Sequence, residues 1–211
     1  MARPHPNPQA RLSLTRRRPV VTAGRPKLHP MAVDDRTRWD RRYSERGAPS
    51  SDVGLPTVFE PYASQFPIHG HAVELACGAG TAAVWLARRG LRVWGCDASP
   101  VAITQAAELA ARCGQVERCT FAVVDLDDGI PPGQPADVLL CNKFRDRRLY
   151  RAMIDRLAPG GVLAISVLSE IGASPGPFRA RPGELVQAFS ALEVIAADEA
   201  DGQAWLLARR R

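Results

Sequence analysis

The sequence predicts an α/β fold: a doubly wound sheet of seven strands, mostly parallel, with an antiparallel closing strand. Three observations carry this. From residue 34 onward, helical and extended patterns alternate. A tight glycine turn joins the first extended run to the helix after it. Glu74, Asp97, Asp125 and Asn142 stand at or near the ends of successive apolar runs. Strands alternating with helices at this spacing form a parallel sheet covered on both faces, with ligands at the carboxyl ends of the strands. The arrangement is Rossmann-like.

Taken in order, residues 34–45 and 55–66 read as two leading helices, and 71–76 as the first strand. The turn is small at Ala76, Gly78, Ala79 and Gly80, and a helix over 81–89 follows, closed by Gly90. A strand over 91–96 ends at Asp97. Ser99 then caps a helix with Pro100 at its first position and Gly114 at its end, placements that each residue favours. Strands over 120–124 and 137–141 come next, then a helix over 147–157. Pro159-Gly160-Gly161 turns into a strand over 162–168. Residues 192–197 and 204–208 form a closing pair, with Asp201-Gly202 as its hairpin signal.

The chain has 211 residues and a formal charge of +6, a length suited to one buried core. The charge is unevenly spread: residues 1–30 hold seven basic side chains, no acid and six prolines. They read as a disordered, basic, Pro-rich tail, with Met31 as an alternative start of translation. Residues 31–211, read as the functional domain, hold twenty-one basic against twenty-two acidic groups, so no basic stripe is expected and nucleic acid is not the expected partner. The five cysteines lack metal-ligand or redox spacing. They read as small buried residues in a reducing, cytoplasmic setting. No apolar stretch approaches the roughly 20 residues of a membrane-spanning helix.

The chemistry starts at V-E-L-A-C-G-A-G-T-A, residues 73–82. Glycines let main chain approach a nucleotide-like ligand closely. The acid at Glu74 selects among such ligands: it would repel a pyrophosphate placed at this turn and attract a sulfonium or ammonium. Asp97, 17 residues after Gly80, is close to where a carboxylate accepts both ribose hydroxyls. Asp125 is suited to accept from an adenine amino group. His69 and His71 flank Gly70 ahead of the first strand and read as a surface turn, and no metal site is expected. Cys77 reads as a packing residue.

At these residues the chain resembles the class I S-adenosylmethionine-dependent methyltransferases. E-L-A-C-G-A-G is similar to that family's first motif, with Ala76 in place of the first glycine. C-D-A-S-P (96–100), V-D-L (124–126) and L-A-P-G-G (157–161) resemble its later landmarks in the same order. Within the family, W-D-R-R-Y (39–43) and R-P-G-E-L (181–185) resemble segments of the small tellurite-resistance and thiopurine-type enzymes. That subgroup often carries a histidine after strand four, where this chain has Asp146. The resemblance implies S-adenosylmethionine as cofactor, contacted by Glu74, Gly78, Gly80, Asp97 and Asp125. It places Ala76, Ala98, Leu126 and Asn142 beside them, with Trp39 and Tyr43 closing over the site.

Methyl transfer from a sulfonium needs alignment and exclusion of water more than an obligatory base, and no catalytic base is named by the sequence. For the acceptor, Lys143, Arg147, Arg179 and Arg181 are the candidate contacts, pointing to an anionic small molecule. The Gly- and Pro-rich segment over 169–181 is a candidate lid, and the arginines at 145, 147 and 148 are expected to face the cleft with it. Two other classes stay open. G-A-G-T-A-A (78–83) also fits the NAD(P)-dependent oxidoreductase pattern, and the basic tail suits an RNA methyltransferase or a non-catalytic cofactor-binding module.

Overall fold

The computed structural model describes residues 30–211, with side chains from residue 36. The tail up to residue 29 lies outside the described residues, whereas Met31, the alternative start, falls within the stretch whose backbone alone is described.

Eight strands form one sheet: β1 (His71–Leu75), β2 (Arg92–Asp97), β3 (Cys119–Val123), β4 (Ala136–Asn142), β5 (Leu157–Ser169), β6 (Arg179–Ala180), β7 (Glu193–Ala200) and β8 (Gln203–Arg209). Their order is β3-β2-β1-β4-β5-β8-β7, with the short β6 beside the end of β5. Pairs from β3 to β5 are parallel, as is β5 with β6, while β8 is antiparallel to both β5 and β7. The chain leaves β1 in one direction and returns at β4 in the other, so the switch point lies between these two strands. In open α/β sheets that is where ligands bind.

The strand sequences explain why both faces are covered. Along β4, Val138 and Leu140 enter one core cluster while Leu139 and Cys141 enter the other. The same two-residue period sorts Val162 and Ala164 from Leu163 and Ile165 in β5. Each face therefore needs an apolar cover. On one face lie α2 (Thr81–Arg88), through Ala82, Ala83 and Leu86, and the leading segment, through Phe59 and Phe66. On the other lie α4 (Tyr150–Arg156), through Tyr150 and Met153, and α5 (Glu184–Ala188), followed by Phe189. The helices α1 (Pro30–Arg46) and α3 (Pro100–Arg112) pack together. Ser99 caps α3 as its position predicts, its side chain accepting from the Ala102 N–H at 3.1 Å.

Four local expectations are corrected. The second leading helix is a 3-10 helix, Thr57–Gln65, broken at Tyr62 behind Pro61, because proline has no N–H and crowds the preceding turn. The helix after β4 divides into a 3-10 turn, Arg147–Leu149, and the short α4. β5 starts at Leu157, where Ala136 pairs with it, so the Pro-Gly-Gly turn lies inside an irregular strand. The candidate lid is pinned: Arg179 Nη1 donates to the carbonyls of Ser169 (2.7 Å) and Gly202 (3.3 Å), and β6 forms there. The Asp201-Gly202 hairpin is as expected, both residues having positive φ (49° and 76°). No helix among the described residues is long and apolar enough to cross a membrane.

Candidate cofactor and acceptor site

At the carboxyl edge of the sheet, over the β1–β4 switch point, lies a cavity of about 710 Å³. Its floor is made by strand ends. Glu74 is 4% exposed, and its Oε2 is buried without a hydrogen-bond partner. Burial pushes its carboxyl up to about 8, the Ala83 N–H offsetting part of this and the Asp97 charge adding to it. Glu74 lines the cavity, so a bound ligand is one source of the donor that this buried acceptor lacks. Asp97 is also buried, and both of its oxygens are held: Oδ2 accepts from the Gly78 N–H and Oδ1 from the Ser99 N–H, each at 2.9 Å. Burial raises its pKa, opposed by these backbone donors. Asparagine at 97 offers one acceptor oxygen where two N–H groups converge. We expect Asp97→Asn to cost about 1–3 kcal/mol in urea unfolding and to weaken binding of an adenosyl ligand.

The glycine turn is shaped by close approach. Gly78 has φ 53°, and a Cβ there would stand 2.6 Å from the Tyr43 hydroxyl. Gly80 (φ 78°) sits against Ala106 and lies behind the cavity wall rather than on it. Ala76, where a glycine was expected from the motif, has φ 50°, in the region that a Cβ disfavours by roughly 1–2 kcal/mol. Ala76→Gly is expected to stabilise the protein by about 1 kcal/mol once glycine's larger unfolded-state freedom is subtracted. Chemical denaturation measures this.

The roof comes from α1. Trp39 and Tyr43 line the cavity with ring centroids 6.1 Å apart, and the Arg42 guanidinium lies over Trp39 at 5.1 Å. The helix is tied down by Asp40, which accepts from Ser99 Oγ (2.5 Å), and by Gln105 Nε2, which donates to the Tyr43 carbonyl (3.1 Å). Burial, with Asp97 nearby, raises the Tyr43 pKa far above neutrality, so the phenol keeps its proton.

Ala76, Ala98, Asp125, Leu126, Asn142 and Lys143 also line the cavity. Asp125 caps a 3-10 turn, accepting from the Asp127 N–H at 2.9 Å. Asn142 Oδ1 accepts from Ser166 Oγ. Lys143 has φ 60°, an uncommon conformation for a non-glycine residue, and its N–H donates to the Ser166 carbonyl at 2.8 Å. Such strain costs on the order of 1–3 kcal/mol.

Arg147, Arg179 and Arg181 do not line this cavity. Arg145 is instead bound bidentately to Glu184 (2.7 Å twice), Arg148 pairs with Asp146 and Asp127 (2.6 Å each), and Arg179 is spent on carbonyls. Conversely, Arg36, Arg42 and Arg46 of α1 line the cavity, and so does Gln105. For Arg36 and Arg46 the signal was in the sequence: Arg36, Trp39, Tyr43 and Arg46 recur at steps of three and four, one face of a helix. His71 lies away from the cavity, its N–H donating to Asp137 at 2.7 Å. Among the described residues no cluster suits a metal ion. Cys77 is 7% exposed, and burial pushes its thiol up, which fits packing rather than reactivity.

Comparison with known proteins agrees with this geometry. Residues 72–161 match a family model described as a methyltransferase domain. Two curated proteins match part of the chain. Ribosomal RNA small subunit methyltransferase C of Alcanivorax borkumensis is 36% identical over 104 residues, 44% of this chain and 31% of that protein. Trans-aconitate 2-methyltransferase of Streptomyces coelicolor is 33% identical over 121 residues, 54% of this chain and 37% of that protein. The chain thus spans about a third of the length of these relatives. Among solved structures, TehB from Haemophilus influenzae superposes with a TM-score of 0.66 at 17% identity, over 82% of this chain and 67% of that one. That likeness is one of fold.

Proposed function

Because this chain is of the class I S-adenosylmethionine-dependent methyltransferase type by domain match and fold, we propose that it methylates a small-molecule acceptor with S-adenosylmethionine as donor. The buried carboxyl of Glu74, a residue that lines the cavity and whose Oε2 lacks a partner, is the observation that carries this reading. A cationic ligand satisfies it, and the pyrophosphate of a nicotinamide dinucleotide would face a carboxylate there. The residues fit the donor: Glu74 and Asp97 present acceptors, Gly78 leaves room for main-chain approach, and Trp39 and Tyr43 cover the site.

When bound, S-adenosylmethionine supplies a methyl carbon already activated on a sulfonium. The work of the protein's own residues is placement and exclusion of water. Ser99 and Gly78 hold the Asp97 carboxylate in one orientation. The α1 aromatics shield the cavity, and the Tyr43 hydroxyl, protonated at neutral pH, acts as a donor rather than a base. No histidine lines the cavity among the described residues, and we assign no general base.

A small acceptor is favoured over RNA by the neutral balance of residues 31–211 and by the roof that α1 lays over the cavity, although one relative acts on ribosomal RNA by name. We take the acceptor to be anionic, and the protein to work in the cytoplasm. Mass spectrometry of a metabolite extract incubated with the protein and isotopically labelled donor tests the reading. A small molecule gaining the labelled methyl supports it, and label appearing only in RNA contradicts it. Heat protection by S-adenosylhomocysteine and not by NAD separates it from the oxidoreductase reading.

A further inference from the structure

The charged side chains lining the cavity are largely sorted by the element that supplies them. Every acid comes from the end of a strand or the turn after it: Glu74 in β1, Asp97 in β2, and Asp125 and Asp127 after β3. Three of the four cations, Arg36, Arg42 and Arg46, come from α1, and the fourth, Lys143, follows β4 at the strand-end edge that also supplies the acids. One cavity therefore has a negative floor and a positive rim.

Of the acids on the floor, Glu74, Asp97 and Asp125 are accounted for by the donor and Asp127 by its ion pair with Arg148. The cations on the rim are not. The zwitterionic donor carries one carboxylate, which can engage more than one of them but supplies one negative charge to four cations, and no ion pair involves Arg36, Arg42, Arg46 or Lys143 among the described residues. A basic helix in general would not account for the arrangement: Arg41, on another side of α1, pairs with Glu45, while the residues at steps of three and four from Arg36 to Arg46 put two guanidiniums on either side of the Trp39–Tyr43 pair. Arg42 is held over the Trp39 ring, which orders its guanidinium at the rim. Lys143 adds a second, independent observation. Its backbone is in a left-handed conformation that glycine or asparagine would adopt with less strain, so the position keeps a cation at a cost to stability.

We propose that the acceptor bears an oxyanion, a carboxylate or a phosphate, held in the cavity by Lys143 and by the α1 guanidiniums of Arg36, Arg42 and Arg46. Guanidinium groups bind such anions bidentately, and this grip turns the rest of the acceptor toward the donor. It rests on the methyltransfer reading and identifies the substrate class of that site. It also relocates the anion-binding role from Arg179 and Arg181 to the roof helix.

The test is titration calorimetry on the full chain saturated with S-adenosylhomocysteine. The probes are trans-aconitate, its trimethyl ester and phenyl phosphate. We expect at least one of the two acids to bind, more weakly as salt rises, and the neutral ester not to bind. Which acid binds distinguishes carboxylate from phosphate. Lys143→Gly and the double variant Arg36→Ala/Arg46→Ala should each weaken acid binding about tenfold, measured at saturating S-adenosylhomocysteine. Lys143→Gly should at the same time unfold at a higher temperature than the wild type, a sign that the lysine is not kept for folding. Failure of both acids to bind the S-adenosylhomocysteine-saturated protein overturns the proposal and leaves the methyltransfer reading standing. Failure of S-adenosylhomocysteine itself to bind overturns that reading instead. Tighter binding of a short RNA hairpin than of either acid reassigns the rim to nucleic acid and also overturns the proposal.

Discussion

Glu74→Gln is expected to weaken S-adenosylmethionine binding by at least about tenfold, or 1.4 kcal/mol, while making the ligand-free protein more stable above neutral pH. Both effects come from one buried carboxyl. In the folded protein its pKa is raised from 4.5 to about 8, mainly by burial. Between those values the folded state holds a proton that the unfolded chain has released. Stability therefore falls as pH rises through this window and levels off above about 8. Glutamine stays neutral and removes the penalty. The cationic donor favours the ionised carboxylate, so its affinity should rise with pH up to about 8 and binding below that value should release a proton. In Glu74→Gln both the pH dependence and the proton release should disappear. Melting curves and binding isotherms of the two proteins across this range measure the opposed effects. A variant that binds the donor as tightly as wild type removes Glu74 from the site.

Arg145→Ala is expected to cost about 3–5 kcal/mol of folding stability. The Arg145 and Glu184 side chains are 14% and 8% exposed, and the guanidinium grips both carboxylate oxygens at 2.7 Å. Tyr150 adds a hydrogen bond of 2.9 Å. Burial alone would push the Glu184 pKa up, but the hydrogen bonds from Arg145 and Tyr150 carry it down to about 2. That stabilisation is complete above the ordinary value of 4.5 and is lost as pH falls toward about 2. Removing the arginine leaves a buried charge unpaired. The deficit of Arg145→Ala should accordingly shrink below pH 4.5, where Glu184 can take up a proton. Replacing both partners by apolar residues of similar volume should be far milder than replacing one. Urea unfolding as a function of pH reads all three. Because Arg145 does not line the cavity, donor affinity should survive wherever the variant is folded.

These two carboxyls mark what was legible in the sequence. The place of Glu74 at the cavity was legible because its signal is local: an acid on a strand, two residues ahead of a small-residue turn, stands at the strand end where the crevice opens. Asp97, Asp125 and Asn142 were legible for the same reason, each standing where a period-two apolar run stops. Arg145 was misread because its meaning depends on Glu184, 39 residues away, a pairing no local pattern encodes. With three arginines bunched after β4, an anion site in the cleft was the natural inference. The fold instead uses Arg145 for Glu184 and Arg148 for Asp146 and Asp127.

The same contrast holds for the elements. Strands β1 to β5, β7 and β8 follow from alternation and turn chemistry. The two-residue β6 has too little sequence to carry a pattern and exists because β5 outruns β4 and offers an unpaired edge. The 3-10 helix over Thr57–Gln65 keeps the apolar spacing of an α-helix, and Pro61 within it was the overlooked signal. On α1 the aromatic pair was recognised while the arginines on the same face were not, although the spacing that brings Trp39 and Tyr43 together also brings Arg36 and Arg46.

The most direct measurement is calorimetric titration of the wild-type chain with S-adenosylmethionine, at a pH below 8, in two buffers of different ionisation enthalpy. A single saturable site is expected, with heats that differ between the buffers because Glu74 gives up its proton, and no saturable heat is expected with NAD. Absence of saturable heat with both S-adenosylmethionine and S-adenosylhomocysteine, or saturation by NAD in their place, would contradict a cavity built around a buried carboxylate for a cationic adenosyl ligand.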